Sequence, residues 1–275
     1  MPSPCLAPLD SPLPLGEGLV VREKGANMKS LSIVIPAYNE EANIRSTVAE
    51  IAAVARGLGI DHEIILVNDG SRDRTGEIGR ELAASIHNFR LVEHYPNRGY
   101  GGALKAGFAA ARNEWIAFVP GDGQFDFGEI RLLMDRSPEA DIVCGYRADR
   151  QDPFMRKVNA FGWNMLVRLL FGYLIRDIDC GFKLFRRDVL VHVNLESDGA
   201  LIDTEFLSSA QAQDLRIAEV TVTHLPRTAG ESTGANLRVI IKAFRGLFNL
   251  LRKQTSAANY WGCRFDSQSE GKVQV

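Results

Sequence analysis

The sequence predicts an α/β protein: a Rossmann-like, doubly wound and mostly parallel sheet, finished by C-terminal amphipathic helices. Three observations carry that prediction. Apolar runs at 31–35, 63–67, 89–93, 115–119 and 141–145 alternate with segments of helical period. The runs are apolar throughout rather than every second residue, as strands covered on both faces are. Most of them stop at Pro, Gly, Asn or Asp, where buried strands hand over to loops.

In order, residues 31–35 form the first strand, closed by Pro36 and the loop Pro36-Ala37-Tyr38-Asn39-Glu40. Asn39 or Asn43 can cap a helix over 41–58, whose Ile44, Val48, Ile51 and Val54/Ala55 share one face. Residues 63–67 are the second strand, and Asn68-Asp69-Gly70-Ser71 opens a helix over 73–84. A third strand at 89–93 leads through Asn97-Arg98-Gly99-Tyr100-Gly101-Gly102 into an Ala-rich helix, 103–111. The fourth strand, 115–119, stops at Pro120-Gly121 and is followed by Asp122, Gln124 and Asp126 and a helix over 127–135. Residues 141–145 and 182–185 read as further strands, and Glu205 sits at the opening of a later helix.

Composition narrows the function. A formal charge of −2 over 275 residues argues against a nucleic-acid partner. Cys5, Cys144, Cys180 and Cys263 are scattered without zinc spacing and read as reduced thiols. Residues 1–27 read as a disordered leader, 28–235 as the main α/β domain, 236–254 as a basic amphipathic helix suited to a membrane surface, and 255–275 as a loose tail. No segment offers about 20 uninterrupted apolar residues, so no standard span is expected. The first turn, PAYNE, has no glycine, and no GxxxxGK[ST] occurs, so neither a dinucleotide fingerprint nor a P-loop is present.

What remains is the row of strand ends: Tyr38/Glu40, Asp69, Arg98 and Asp122. Open α/β sheets bind ligands at such ends. The group Asp122, Gln124, Asp126 reads either as a solvated turn or as hard oxygen donors for Mg²⁺ or Mn²⁺ shared with substrate phosphate.

IVIPAYNE at 33–40, LVNDGSRDRT at 66–75, NRGYGGALKAGF at 97–108, GDGQFD at 121–126, DIDCGFKLFRRDVL at 177–190 and HLPRTAGESTG at 224–234 resemble family 2 glycosyltransferases of GT-A fold. Within that family they are most similar to dolichyl- and polyprenyl-phosphate sugar transferases. The resemblance covers residues 29–253. It implies an inverting transfer of a hexose, mannose or glucose, from a GDP- or UDP-sugar to a polyprenyl phosphate. It implies a nucleotide-sugar site of Pro36, Tyr38, Glu40, Asp69, Arg98, Gly121 and Asp122, with the divalent cation on Asp122 and Gln124. Asp122 and Asp177 would be the catalytic carboxylates, Asp179 being able to take the part of Asp177. Arg147, Arg156, Arg227 and Ser232 would hold the acceptor phosphate. Relatives often begin the metal motif with a further aspartate where this chain has Pro120, so free metal is expected to bind weakly. His224 is expected to be structural. The expected location is cytoplasmic, peripheral to the membrane's cytoplasmic face. A saccharide or protein acceptor, or a non-catalytic nucleotide-sugar-binding protein, are the rival readings.

Two greasy stretches bear on the membrane. Residues 158–175 are interrupted by Asn159, Asn164, Arg168 and two glycines, which suits an interfacial or core helix pair rather than a span. In 236–253 an apolar face of Leu237, Ile240, Phe244, Leu247 and Leu251 opposes Arg238, Lys242, Arg245 and Arg252. Such a helix either lies on anionic lipid or packs on the domain with a solvated basic face.

Overall fold

The computed structural model describes residues 28–149, 154–172, 174–227, 246–247 and 250–252, with the side chains of α5 described from residue 157. The leader at 1–27, Ser232, the tail at 255–275 and most of 236–254 lie outside the described residues. The elements run β1 (Ser30–Ala37), α1 (Ile44–Arg56), β2 (Asp61–Asn68), α2 (Thr75–Ser85), β3 (Phe89–Glu93), α3 (Tyr100–Ala110) and β4 (Trp115–Phe118). A 3₁₀ turn (Phe127–Glu129) then precedes α4 (Ile130–Arg136), β5 (Ile142–Arg147), α5 (Phe154–Phe171), β6 (Lys183–Arg186), α6 (Val189–His192), α7 (Ile202–Ala212) and β7 (Ile217–Val222).

The strands form one seven-stranded sheet in the order β3-β2-β1-β4-β6-β5-β7. All neighbours are parallel except β6, which runs antiparallel to both β4 and β5. The expected doubly wound, mostly parallel sheet is therefore what forms. β1 shows why its residues are apolar without alternation. Leu31, Ile33 and Ile35 face a core shared with α1 and α4, while Val34 faces a second core shared with α3 and α7. Burying such side chains is worth ~1.5–3 kcal/mol each. Below the sheet's centre, Phe108, Phe118, Phe185 and Phe206 interlock with centroids 5.0 to 6.4 Å apart.

Two departures from expectation bear on the site and its surroundings. α3 begins at Tyr100 rather than at 103, because its first backbone donors are satisfied from afar. Gly101 and Gly102 N–H both donate to the Asp198 carbonyl, at 2.9 and 3.3 Å. Only glycine allows that approach, since a Cβ on Gly101 would lie 2.4 Å from the Ser197 carbonyl oxygen. The cluster thus serves loop packing. The greasy stretch that starts at 158 forms one helix through 171, within α5, rather than a pair. Of the 236–254 segment, Leu247 and Leu250 are described and buried, and Leu247 packs in the α3/α7 core.

Candidate active site

Strand order reverses between β1 and β4, and the crevice that this creates opens at the C-terminal edge of the parallel strands. Along that edge lie Asp69 after β2, Tyr38–Glu40 after β1, Asp122 after β4 and Arg147 at the end of β5. The turn 177–182 joins them because β6 is reversed. Lys183 pairs with Phe118, the last residue of β4, so the residues leading into β6 stand beyond it on the same edge.

The β1 loop is latched onto the β2–α2 loop. Asn39 takes a left-handed φ of 56°, a conformation asparagine tolerates. Its N–H donates to Ser71 Oγ at 3.0 Å, its Oδ1 accepts from the Arg72 N–H at 2.8 Å, and the Glu40 N–H donates to Thr75 Oγ1 at 2.8 Å. Glu40 is buried and accepts from Asn43 Nδ2 at 2.8 Å and from the Arg227 guanidinium. Burial raises its carboxyl above the ordinary range, although the Asn43 amide and Arg227 pull the other way.

Asp122 is fixed from its own loop: its Oδ1 accepts the Gln124 N–H at 3.1 Å. Its Oδ2 lies 3.8 Å from Arg227 Nη1. Arg227 therefore stands between Glu40 of the β1 loop and Asp122 of the β4 loop. It is delivered there by a two-residue bridge, Phe125 against His224, and by the Leu225 N–H donating to the Gln124 carbonyl at 2.8 Å. His224 is buried against the Phe125 ring, the structural role expected of it.

Several predicted residues take other places than the sequence suggested. Asp69 is buried, and its carboxylate is spent within the protein, on His94 Nδ1 at 2.8 Å and the backbone N–H groups of Arg98 and Gly99 at 2.9 and 2.8 Å. It holds the 97–99 loop in place rather than presenting an open carboxylate. Arg98 contributes that backbone donor, and its side chain is exposed. Asp177 is not an open base. Its two oxygens take Arg147 Nε and Nη2 at 2.7 and 2.9 Å, with both side chains under 10% exposed at 8% and 7%. Arg147 is correspondingly not a solvent-facing phosphate clamp. Arg227 is paired with Glu40 and lies beside Asp122. Glu205 accepts the Glu196 and Ser197 N–H groups at 3.1 and 2.8 Å, so it holds the loop that caps α3. Arg156 is in α5 and its side chain, like Ser232, lies outside the described residues.

Sequence reasoning missed Lys183 and Asp203. Lys183 is fully buried and donates to Asp203 Oδ1 at 2.6 Å, to the Ile178 carbonyl at 3.1 Å and to the Cys180 carbonyl. The available signal was a lysine inside the apolar run Phe182–Phe185, where its neighbours leave no solvent face.

Residues present fit a weakly held hard cation. Asp122 offers a carboxylate, and Gln124, whose Nε2 donates to the Leu225 carbonyl at 3.2 Å, has its amide oxygen as the remaining acceptor. No group of three His, Cys, Asp or Glu that can hold a metal occurs among the described residues. Mg²⁺ and Mn²⁺ suit such a set because they keep waters and substrate phosphates as ligands.

The glycosyl transferase family 2 domain matches residues 32–193, which takes in β1 through α6. The chain belongs to glycosyl transferase family 2. A dolichyl-phosphate beta-glucosyltransferase of Trichomonas vaginalis is 32% identical over 212 residues, 70% of this chain and 64% of that protein. An undecaprenyl-phosphate 4-deoxy-4-formamido-L-arabinose transferase of Shewanella sediminis is 33% identical over 234 residues, 84% of this chain and 68% of that one. The chain spans just under two thirds, 64% and 65%, of the first two curated relatives it matches. Among solved structures, glucosyl-3-phosphoglycerate synthase from Mycobacterium tuberculosis, in complex with Mn²⁺, UDP-glucose and phosphoglyceric acid, matches with a TM-score of 0.63. It is 21% identical over 81% of this chain and 80% of that one, and it bears out the GT-A fold.

Proposed function

We propose that this chain transfers a hexose, glucose or mannose, from a nucleotide sugar to a polyprenyl phosphate, with inversion at the anomeric carbon and a bound Mg²⁺ or Mn²⁺. The observation that carries this reading is the order of groups along the crevice. Tyr38 and the latched Glu40 loop lie on the nucleoside side. Asp122 and Arg227 meet at the switch point, and the turn 177–182 with Arg147 lies beyond. Anionic donor and anionic acceptor are brought together over one sheet edge, which converts an encounter of two repelling substrates into a unimolecular step.

Asp122 and Gln124 would hold the cation, which when bound screens the charge that gathers on the departing diphosphate. The Arg227 guanidinium, 3.8 Å from Asp122, would suit the oxygens of that diphosphate. The acceptor monophosphate is already anionic at neutral pH, so the commitment of Asp177 to Arg147 removes no step that the transfer needs. The pair instead stiffens the join between β5 and the turn. Arg156 and Ser232 remain the expected contacts of the acceptor phosphate.

Attachment to the cytoplasmic face of a membrane is part of the proposal. No described helix is long and apolar enough to cross a membrane. α5, however, carries Val158, Phe161, Met165 and Leu169 along one stripe, Phe161 being 68% and Leu169 80% exposed. Its sequence FMRKVNAFGWNMLVRLLF contains cations and no acid, which suits anionic lipid. Phe161→Glu with Leu169→Glu is expected to lower co-sedimentation with anionic vesicles by about tenfold or more, each lost apolar side chain being worth ~1.5–3 kcal/mol when fully buried. Unchanged sedimentation would return α5 to an ordinary surface helix.

The transfer itself is tested by incubating the protein with short polyprenyl phosphates and a panel of UDP- and GDP-sugars, with and without Mn²⁺, and weighing the products. A product one hexose heavier than the lipid phosphate is expected. Hydrolysis alone, or transfer only to saccharides, would overturn the acceptor assignment.

A further inference from the structure

We propose that Asp179 sets the sugar specificity of this site: it accepts hydroxyls of a neutral hexose and turns away sugars that carry a carboxylate. The inference rests on the transfer reading above and adds to it the charge class of the sugar.

Geometry places Asp179 in the path of the transferred group. Strands are ~4.8 Å apart, so a diphosphate over the end of β4, with its nucleoside toward β1 and β2, leaves the sugar to extend toward β6. The turn entering β6 is pressed against the metal motif. Gly181 lies so near Pro120 that a Cβ there would come within 2.7 Å of its ring, and the Tyr100 hydroxyl is 3.7 Å from the same point. Pro120 is two residues from Asp122. Where relatives often place a further carboxylate, this chain has a proline ring that packs against the turn carrying Asp179.

The partners of the neighbouring acids single Asp179 out. Asp177 is committed to Arg147 and Asp203 to Lys183. Asp179 is half-buried, and none of the described residues donates a hydrogen bond to it. Facing it are Asp177 and Cys180 from its own turn, Asp203 from α7, Lys183 from β6, Arg147 from β5 and Tyr100 from α3. Three carboxylates against two cations leave one negative charge uncompensated, and it is this one. Burial, with Asp203 and Asp177 adding to it, pushes its carboxyl up to about 6. A half-buried carboxylate without a donor is held at a cost that a ligand can remove. Sugar hydroxyls are neutral donors and fit. Phosphates and uronate carboxyls are anions and do not. Glucose and its C6-oxidised counterpart are thereby separated by charge rather than by shape.

The test uses the full chain, a short polyprenyl phosphate and matched donors: UDP-glucose with UDP-glucuronate, UDP-galactose with UDP-galacturonate, GDP-mannose with GDP-mannuronate. For the nucleotide and sugar that the enzyme uses, the neutral donor is expected to exceed its uronate in kcat/KM by at least about tenfold, since juxtaposed like charges are strongly disfavoured. Asp179→Asn should raise KM for the neutral donor and shrink that ratio to within about threefold. In the wild type the ratio should fall as pH drops through about 6, where Asp179 takes up its proton; in the asparagine variant it should be flat. Folding serves as the control. The carboxyl's folded-state value of about 6 lies above its ordinary 3.8, so the group costs the fold nothing below about 3.8, and the penalty grows to its full size above about 6. The neutral variant should therefore melt no lower than the wild type at pH 7.5. Efficient uronate transfer by the wild type, or an asparagine variant with unchanged KM and discrimination, overturns the inference while leaving the transfer reading intact. Transfer of no sugar at all would overturn the reading and the inference with it.

Discussion

Asp122→Ala is expected to lower kcat for sugar transfer by about a thousandfold, the scale seen when a group stabilising transition-state charge is removed. The side chain is 17% exposed, and its Oδ1 accepts the Gln124 N–H at 3.1 Å. Losing that bond costs ~1 kcal/mol, and the melting temperature should fall by ~2–4 °C. Activity and stability thus separate cleanly at this position. Asp122→Asn sharpens the test because its Oδ1 can still accept the Gln124 N–H while its charge is gone. The asparagine variant should fold like the wild type and lose the Mn²⁺-dependent gain in nucleotide-sugar affinity, read by calorimetry. Retained turnover in either variant would mean that Arg227 alone carries the leaving-group charge. Arg227 would also move closer to Glu40 once its second carboxylate is removed, so a rise in KM for the donor is expected alongside the loss in kcat.

Much of this site was legible because parallel sheets place function where strands stop. Pro36, Gly70 and Gly121 punctuate apolar runs, and the polar residues beside them fall on one edge once the runs are taken as parallel. What the sequence could not show is which carboxylates would be used internally. Asp69 and Arg98 are separated by 29 residues and Arg147 and Asp177 by 30, and each pair is brought together only by the crossovers between strands. The reversal of β6 was equally hidden. The motif entering it reads as one more strand start, and only its pairing with β4 carries the turn 177–182 to the active edge. Local rules also misjudged the start of α3, whose cap is a carbonyl almost a hundred residues downstream, at Asp198.

Lys183 was the least legible residue, and breaking its pair with Asp203 should have the largest effect on stability. Asp203→Ala leaves a fully buried ammonium with two carbonyl partners and no counter-charge, and removing one member of a buried pair costs ~3–5 kcal/mol. The pair lies between β6 and α7, with the ammonium also 5.2 Å from the centre of the Phe118 ring. Burial alone would lower the lysine's value, but Asp203 raises it beyond that pull, so it stays charged throughout the neutral range. Replacing both members, Lys183→Met with Asp203→Leu, should recover more than half of the loss in a urea titration, as apolar replacements of buried pairs often do. It should not recover function. The lysine also gathers the carbonyls of Ile178 and Cys180, the two residues that flank Asp179. In the apolar double variant those carbonyls lose their shared donor and the turn loses its fixed shape. Recovered stability with a raised KM for the sugar donor, and kcat little changed, would mean that the buried ammonium is kept to aim the turn rather than to hold the fold. Full recovery of both would mean that packing alone positions it.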